Sequence, residues 1–171
     1  KALACHPGVA VVALSRRAQE RVVANPERCL YLSLREALLN GERGQTPWTP
    51  AVATLLQINA RLRGLKAEGL PAERSRIAMR AKGLRGLASE LGYKQVPEAP
   101  SNAVTALWAP DGNARAIIDA AKTRYGIWLC PNGGDHANDV FRIGHIGSIS
   151  ESDQSALLAA LRDVASRLTT G

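Results

Sequence analysis

Residues 1–22, KALACHPGVAVVALSRRAQERV, set the frame for the whole chain. His6-Pro7-Gly8 is a turn signal, since Pro fixes φ and Gly takes up backbone angles closed to other residues. Residues 9–14 follow as an unbroken apolar run, the pattern of a buried strand. Ser15 offers a hydroxyl to cap a helix over residues 16–24, which Asn25-Pro26 ends. A lysine leading into a tight turn and a buried strand holds its amine in place. Such an amine forms a Schiff base with a carbonyl once burial or nearby cations lower its pKa. The plain alternative is that Lys1 is a terminus and nothing more. Residues 1–14 lack a small-residue cleavage pattern and do not read as a signal peptide.

The 171 residues suit one domain or two small lobes, and a hydrophobic share of 46% with only 4% aromatics predicts an aliphatic core. No apolar stretch is long enough to span a bilayer. The expectation is a soluble, cytoplasmic protein with no membrane partner. Cys5, Cys29 and Cys130 lack C-x-x-C spacing and read as small apolar residues rather than disulfide or zinc ligands. A net charge of +7 raises the question of nucleic acid. The basic residues Arg74, Arg76, Arg80, Lys82 and Arg85, however, are distributed around a helix with no aromatics to stack bases, which disfavours it. A basic, non-catalytic domain holding an acidic partner stays as the alternative to an enzyme.

Residues 29–39 fit either a strand (Leu30, Leu32, Leu34) or a helix (Leu34, Leu38, Leu39). Residues 40–48, NGERGQTPW, form a polar loop. Thr49 as N-cap and Pro50 in the first turn open a helix with an apolar stripe of Val52, Leu55, Leu56, Leu62 and Leu65. A second helix spans about residues 71–91, with Gly92 to terminate it. Beyond Pro97 the pattern mixes strands at 103–108, 127–130 and 140–143 with a helix at 113–124. Ser150 caps a last helix bearing Leu157, Leu158, Leu161, Val164 and Leu168. This predicts an α+β lobe whose sheet needs at least one more strand.

Two further stretches carry chemistry. In GQTPWTPAV (44–52) a helix start offers free N–H groups and a favourable dipole to an anion; alternatively, Thr49 caps its own helix and Trp48 packs. In VFRIGHIG (140–147) Phe141 and Ile143 share one strand face and Arg142 points the other way. An arginine in so apolar a strand wants a bidentate carboxylate, either from a ligand or from Asp139 or Asp153. His6, His136 and His145 match no metal-ligand spacing, and His145 reads as a packed or hydrogen-bonded core residue.

These stretches together resemble the class V pyridoxal-phosphate aminotransferases of the alanine–glyoxylate and serine–glyoxylate type. Lys1, Pro7, Gly8, Val9 and Ser15 fall where that family places its cofactor lysine and the strand and helix after it. The resemblance implies an α/β, fold-type I transferase. Residues 1–70 would be the end of the large domain with its dimer-interface loop, and residues 71–171 the small α+β domain. It implies pyridoxal phosphate as cofactor and Lys1 as the catalytic and cofactor-binding residue. Thr49, with Thr46, would reach the cofactor phosphate of the other subunit of a homodimer, and Arg142 would grip the substrate α-carboxylate. The reaction implied moves an amino group from an amino acid of the alanine or serine type to a 2-oxo acid such as glyoxylate or pyruvate. The rest of the large lobe would then lie upstream of Lys1. The sequence departs from the family at His6, where a second Pro is common, and at Gly133-Gly134-Asp135-His136, where Gly-Gly-Gln-Gly is common. A cysteine desulfurase on the same fold is the other enzyme reading. It is disfavoured because no cysteine follows Cys130 in the region after Arg142.

Overall fold

The computed structural model describes residues 1–169. Ser15 Oγ accepts the Ala18 amide at 3.3 Å and starts α1 (Arg16–Ala24) as expected. Residues 9–14, by contrast, form no strand: the segment is irregular, with Val11 83% exposed. A strand needs a neighbour to take its backbone hydrogen bonds, and no described segment pairs with this one.

The ambiguous stretch resolves as helix. Ser33 Oγ accepts the Glu36 amide at 3.0 Å and opens α2 (Leu34–Glu42). The next helix, α3 (Val52–Glu68), begins later than its sequence suggests. Pro50 O accepts the Val52 amide at 2.8 Å in a tight turn, and Ala51 O accepts the Leu55 amide at 3.0 Å. Ala51 therefore holds the capping position, while Thr49 and Pro50 lie outside the helix. The apolar stripe of α3 leaves Val52, Leu55, Leu56 and Leu62 exposed.

α4 (Leu70–Glu90) ends as Gly92 predicts. Gly92 adopts φ +79°, its amide bonds Ser89 O at 3.1 Å, and the Tyr93 amide bonds Ala88 O at 2.8 Å. This is the paired closure of a left-handed C-terminal cap. The additional strand required by the lobe is β1 (Lys94–Gln95), too short and polar to show a period. It is followed by β2 (Val104–Trp108), α5 (Ala114–Tyr125), β3 (Cys130–Pro131), β4 (Val140–Gly144) and α6 (Glu151–Thr169). The sheet is antiparallel throughout, in the order β1-β2-β4-β3. Ser150 caps α6 reciprocally with Asp153: the Asp153 amide reaches Ser150 Oγ at 3.1 Å and the Ser150 amide reaches Asp153 Oδ2 at 2.8 Å.

The chain divides into two units, Lys1–Ala4 with the chain from Arg61 onward, and Cys5–Ala60. In the larger unit one sheet face places Leu107, Phe141 and Ile143 against Leu84 and Leu87 of α4, Ile117 of α5 and Leu161 and Val164 of α6. The aliphatic core predicted from composition is this one. In the smaller unit the buried residues are Ser33, Asn40 and Thr54, all polar.

Candidate active site

Strand alternation sets the central residue of the site. Phe141 and Ile143 are buried at 0% and 4% exposure, so Arg142 between them projects from the opposite face. In register, Arg142 stands between Ala106 of β2 and Cys130 of β3. Its Nη2 donates to Pro131 O at 2.7 Å, and its Nε has no hydrogen-bond partner. The carboxylates that could have paired with it are engaged elsewhere. Asp139 faces His136, Oδ2 to Nδ1 at 3.6 Å. Asp153 accepts from the amide and hydroxyl of Ser150, bonds that hold its carboxyl below the usual range. Arg142 has no ion pair among the described residues. A guanidinium fixed on one side by a carbonyl and otherwise unpaired is equipped to receive a carboxylate.

Lys1 is exposed and lies in the same unit. The Ala4 amide bonds Lys1 O at 2.9 Å, closing a turn in which Ala4 takes φ +52°. That turn rests on Gly147, just past the strand that carries Arg142. A Cβ at Gly147 would lie 3.6 Å from Lys1 O and 3.8 Å from Ala4 Cβ, on a backbone held at φ +108°. Lys1 and Arg142 are thus tied to one short connection between β4 and α6.

Thr46 and Thr49 belong to the smaller unit. Thr46 Oγ1 donates its proton to Trp48 O at 2.7 Å. Trp48 donates Nε1–H to Tyr31 O at 3.1 Å and stacks on the Tyr31 ring, 5.7 Å between centroids. The loop is therefore braced by its own aromatics. A phosphate needs donors. The single O–H of Thr46 is committed and the Val52 amide is held by Pro50 O, whereas the exposed Thr49 hydroxyl and the amides of Ala53 and Thr54 in the first turn of α3 face no such bond.

His145 is the packed residue its sequence context suggests. It is 1% exposed, with Nε2 2.7 Å from Thr105 Oγ1. Burial, and then the charges of Arg85 and Arg80, push its pKa down to about 4. Several α4 arginines have structural partners. Arg80 donates to His145 O and Ile149 O, Arg85 to Ser101 O and Asn102 Oδ1, and Arg76 to Glu68 and Glu73. Much of the basic charge on this helix is thus spent inside the unit. A cavity of about 560 Å³ opens beside α4 and the start of α6. Of its three carboxylates, Glu68 and Glu73 are already paired with Arg61 and Arg76, and Glu151 stands at the start of α6. No group of three or more His, Cys, Asp or Glu among the described residues could hold a metal.

Two contacts near Arg142 have no signature in sequence. One is the Pro131 carbonyl. The other is an edge-to-face meeting of the Trp108 and His136 rings, 5.1 Å apart at 85°. Both are made by residues far apart in the chain, and neither follows from a local period.

No protein-family model matches the chain. Among curated proteins it is 31% identical over 150 residues to an L-aspartate–glyoxylate aminotransferase of Paracoccus denitrificans, covering 85% of this chain and 38% of that protein. It is 29% identical over 160 residues to a serine–glyoxylate aminotransferase of Methylorubrum extorquens, covering 88% of this chain and 40% of that one. Among solved structures, an alanine–glyoxylate aminotransferase of Nostoc sp. superposes with a TM-score of 0.83 at 23% identity, over 96% of this chain and 45% of the other, a likeness of fold. The chain spans about two fifths of the length of the curated relatives it matches. No described helix is long and apolar enough to cross a membrane. In sequence and in fold the chain is similar to class V pyridoxal-phosphate aminotransferases of fold type I.

Proposed function

We propose that this chain acts as part of an aminotransferase that moves an amino group from a small amino acid, of the alanine or serine type, to a 2-oxo acid such as glyoxylate or pyruvate. The observation that carries this reading is Arg142, a strand arginine with no carboxylate partner among the described residues and one edge fixed by Pro131 O. Donor and acceptor both carry a carboxylate beside the reacting carbon, so one arginine can orient both.

Pyridoxal phosphate, when bound, supplies the aldehyde that accepts the amino group and the ring that draws electrons from the substrate. The residues here fit such a group: Lys1 offers an exposed amine, and Thr49 an open hydroxyl beside a helix start. In this reading Lys1 Nζ holds the cofactor in the resting enzyme and, once free, moves the proton at the substrate Cα. Thr49 and the amides of Ala53 and Thr54 receive the phosphate, with Thr46 bracing the loop through Trp48 O. Arg142 fixes the carboxylate so that the Cα proton faces Lys1.

The proposal extends to the assembly. The segment at residues 41–50 serves the cofactor phosphate of a second subunit, which makes the enzyme a homodimer. Residues 1–70 complete the large domain and residues 71–171 form the small one, in a cytoplasmic enzyme. The desulfurase reading is not adopted: Cys130 lies in a strand, opposite Arg142, rather than in an extended loop.

The test is a Lys1→Ala substitution in the intact enzyme. Visible absorbance of the bound cofactor should be lost, and transamination between alanine or serine and glyoxylate should fall to background. Unchanged absorbance and turnover would remove Lys1 from its role, and an unsubstituted enzyme that transfers no amino group between these substrates would remove the function.

A further inference from the structure

The loop between β3 and β4, residues 132–139, is fastened at both ends. At its near end Pro131 O receives the Arg142 guanidinium at 2.7 Å. At its far end Asp139 O accepts the Ala109 amide at 2.6 Å, and Asn138 O accepts the Ala114 amide at 2.9 Å. Its middle holds a short turn, Gly134–His136, closed by the Ala137 amide on Gly134 O at 3.1 Å. From this turn the His136 ring meets Trp108 edge-on at 5.1 Å, while its Nδ1 faces Asp139 Oδ2 at 3.6 Å.

Trp108 is well placed for an effect on Arg142. In the β2–β4 register Trp108 pairs with Val140 and Ala106 with Arg142. Trp108, Ala106, Val140 and Arg142 therefore share a sheet face, and Trp108 is the diagonal neighbour of Arg142. The ring contact stands on the face from which the guanidinium projects. Between the fastened ends, this ring contact holds the middle of the loop against the sheet and limits how far the end that carries the Pro131 carbonyl can shift.

We propose that His136, through its contact with Trp108, is a positioning residue for Arg142. It pins the β3–β4 loop so that Pro131 O holds Nη2 and presents the rest of the guanidinium to a carboxylate. This rests on the carboxylate-binding reading of Arg142. His136 itself touches no substrate. It acts by restricting the loop, so its removal weakens carboxylate binding without altering the chemical step.

The experiment compares His136→Ala, His136→Phe and Arg142→Lys in the intact holoenzyme. In His136→Ala the KM for the amino acid and for the 2-oxo acid should both rise about fivefold to tenfold, tenfold being 1.4 kcal/mol, with kcat within about twofold. The cofactor absorbance should not move. His136→Phe keeps an aromatic ring for Trp108 and should restore both KM values. Propionate, a carboxylate that cannot react, should show the same loss and rescue by ligand-observed NMR. If Arg142→Lys raises KM while His136→Ala does not, the positioning role is overturned and the carboxylate reading stands. A fall in kcat at constant KM in His136→Ala would also overturn it. If Arg142→Lys leaves KM unchanged, both ideas fail.

Discussion

Thr105 Oγ1 and His145 Nε2 lie 2.7 Å apart inside the larger unit, with each residue only 1% exposed. The remaining ring nitrogen, Nδ1, has no partner. A second proton on this ring would have to be accommodated without solvent, beside the charges of Arg85 and Arg80, and its pKa is pushed down to about 4. The unfolded chain binds that proton near 6.5, so between those two values the unfolded state holds more protons than the folded one. Stability contributed by the neutral ring is complete above pH 6.5 and is lost as pH falls toward 4. Unfolding free energies from urea titration should therefore drop across that window, by up to about 1.4 kcal/mol per pH unit from this residue. His145→Gln, which cannot titrate, should flatten the profile; an unchanged slope would show that other groups produce it.

Arg142→Lys separates a ligand-binding arginine from a structural one. The lysine keeps the charge but loses the planar fork, and with it a charge-assisted hydrogen bond worth roughly 1.5–3 kcal/mol. Catalytic efficiency of the intact enzyme should fall by about one to two decades. The melting temperature should move little, because no protein carboxylate pairs with Arg142 among the described residues. A large drop in melting temperature with unchanged kinetics would identify a structural arginine instead.

Thr49 and Thr46 should differ in their effect on the cofactor. Thr49→Val removes an open donor beside the start of α3, and cofactor affinity should fall about tenfold, the scale of one hydrogen bond to a charged group. Thr46→Val removes a hydroxyl whose proton is already given to Trp48 O, and should weaken binding less. Absorbance titration of the two apo-variants with pyridoxal phosphate makes the comparison. The reverse order would move the phosphate contact to Thr46.

Local signals in the sequence carried over where the chemistry is itself local. Ser15 and Ser150 each cap a helix, and Gly92 closes α4, because a cap needs only a hydroxyl or a flexible backbone within a few residues. The strand bearing Arg142 was legible from its alternation. Residues 9–14 were not, since an apolar run reads the same with or without a partner strand. Thr49 and Pro50 form a good helix start by composition, yet the turn at Pro50 O delays it to Val52. β1 spans only Lys94–Gln95, with no apolar pattern to announce it. The Arg142–Pro131 and His136–Trp108 contacts depend on the pairing of β2, β3 and β4, which no short window contains.

The polar interior of the smaller unit has a consequence for its stability. Ser33, Asn40 and Thr54 are its buried residues, while Val11, Leu30, Tyr31 and Leu32 are each more than two thirds exposed. Apolar burial is the main force that offsets the chain entropy lost on ordering. The sheet and its three helices supply that force for themselves and can condense alone. Residues 5–60 bury no apolar side chain fully, so little of that force comes from within the segment. Any surface that covers Val11, Leu30, Tyr31 and Leu32 would therefore add to the stability of this segment more than to that of the sheet and its helices.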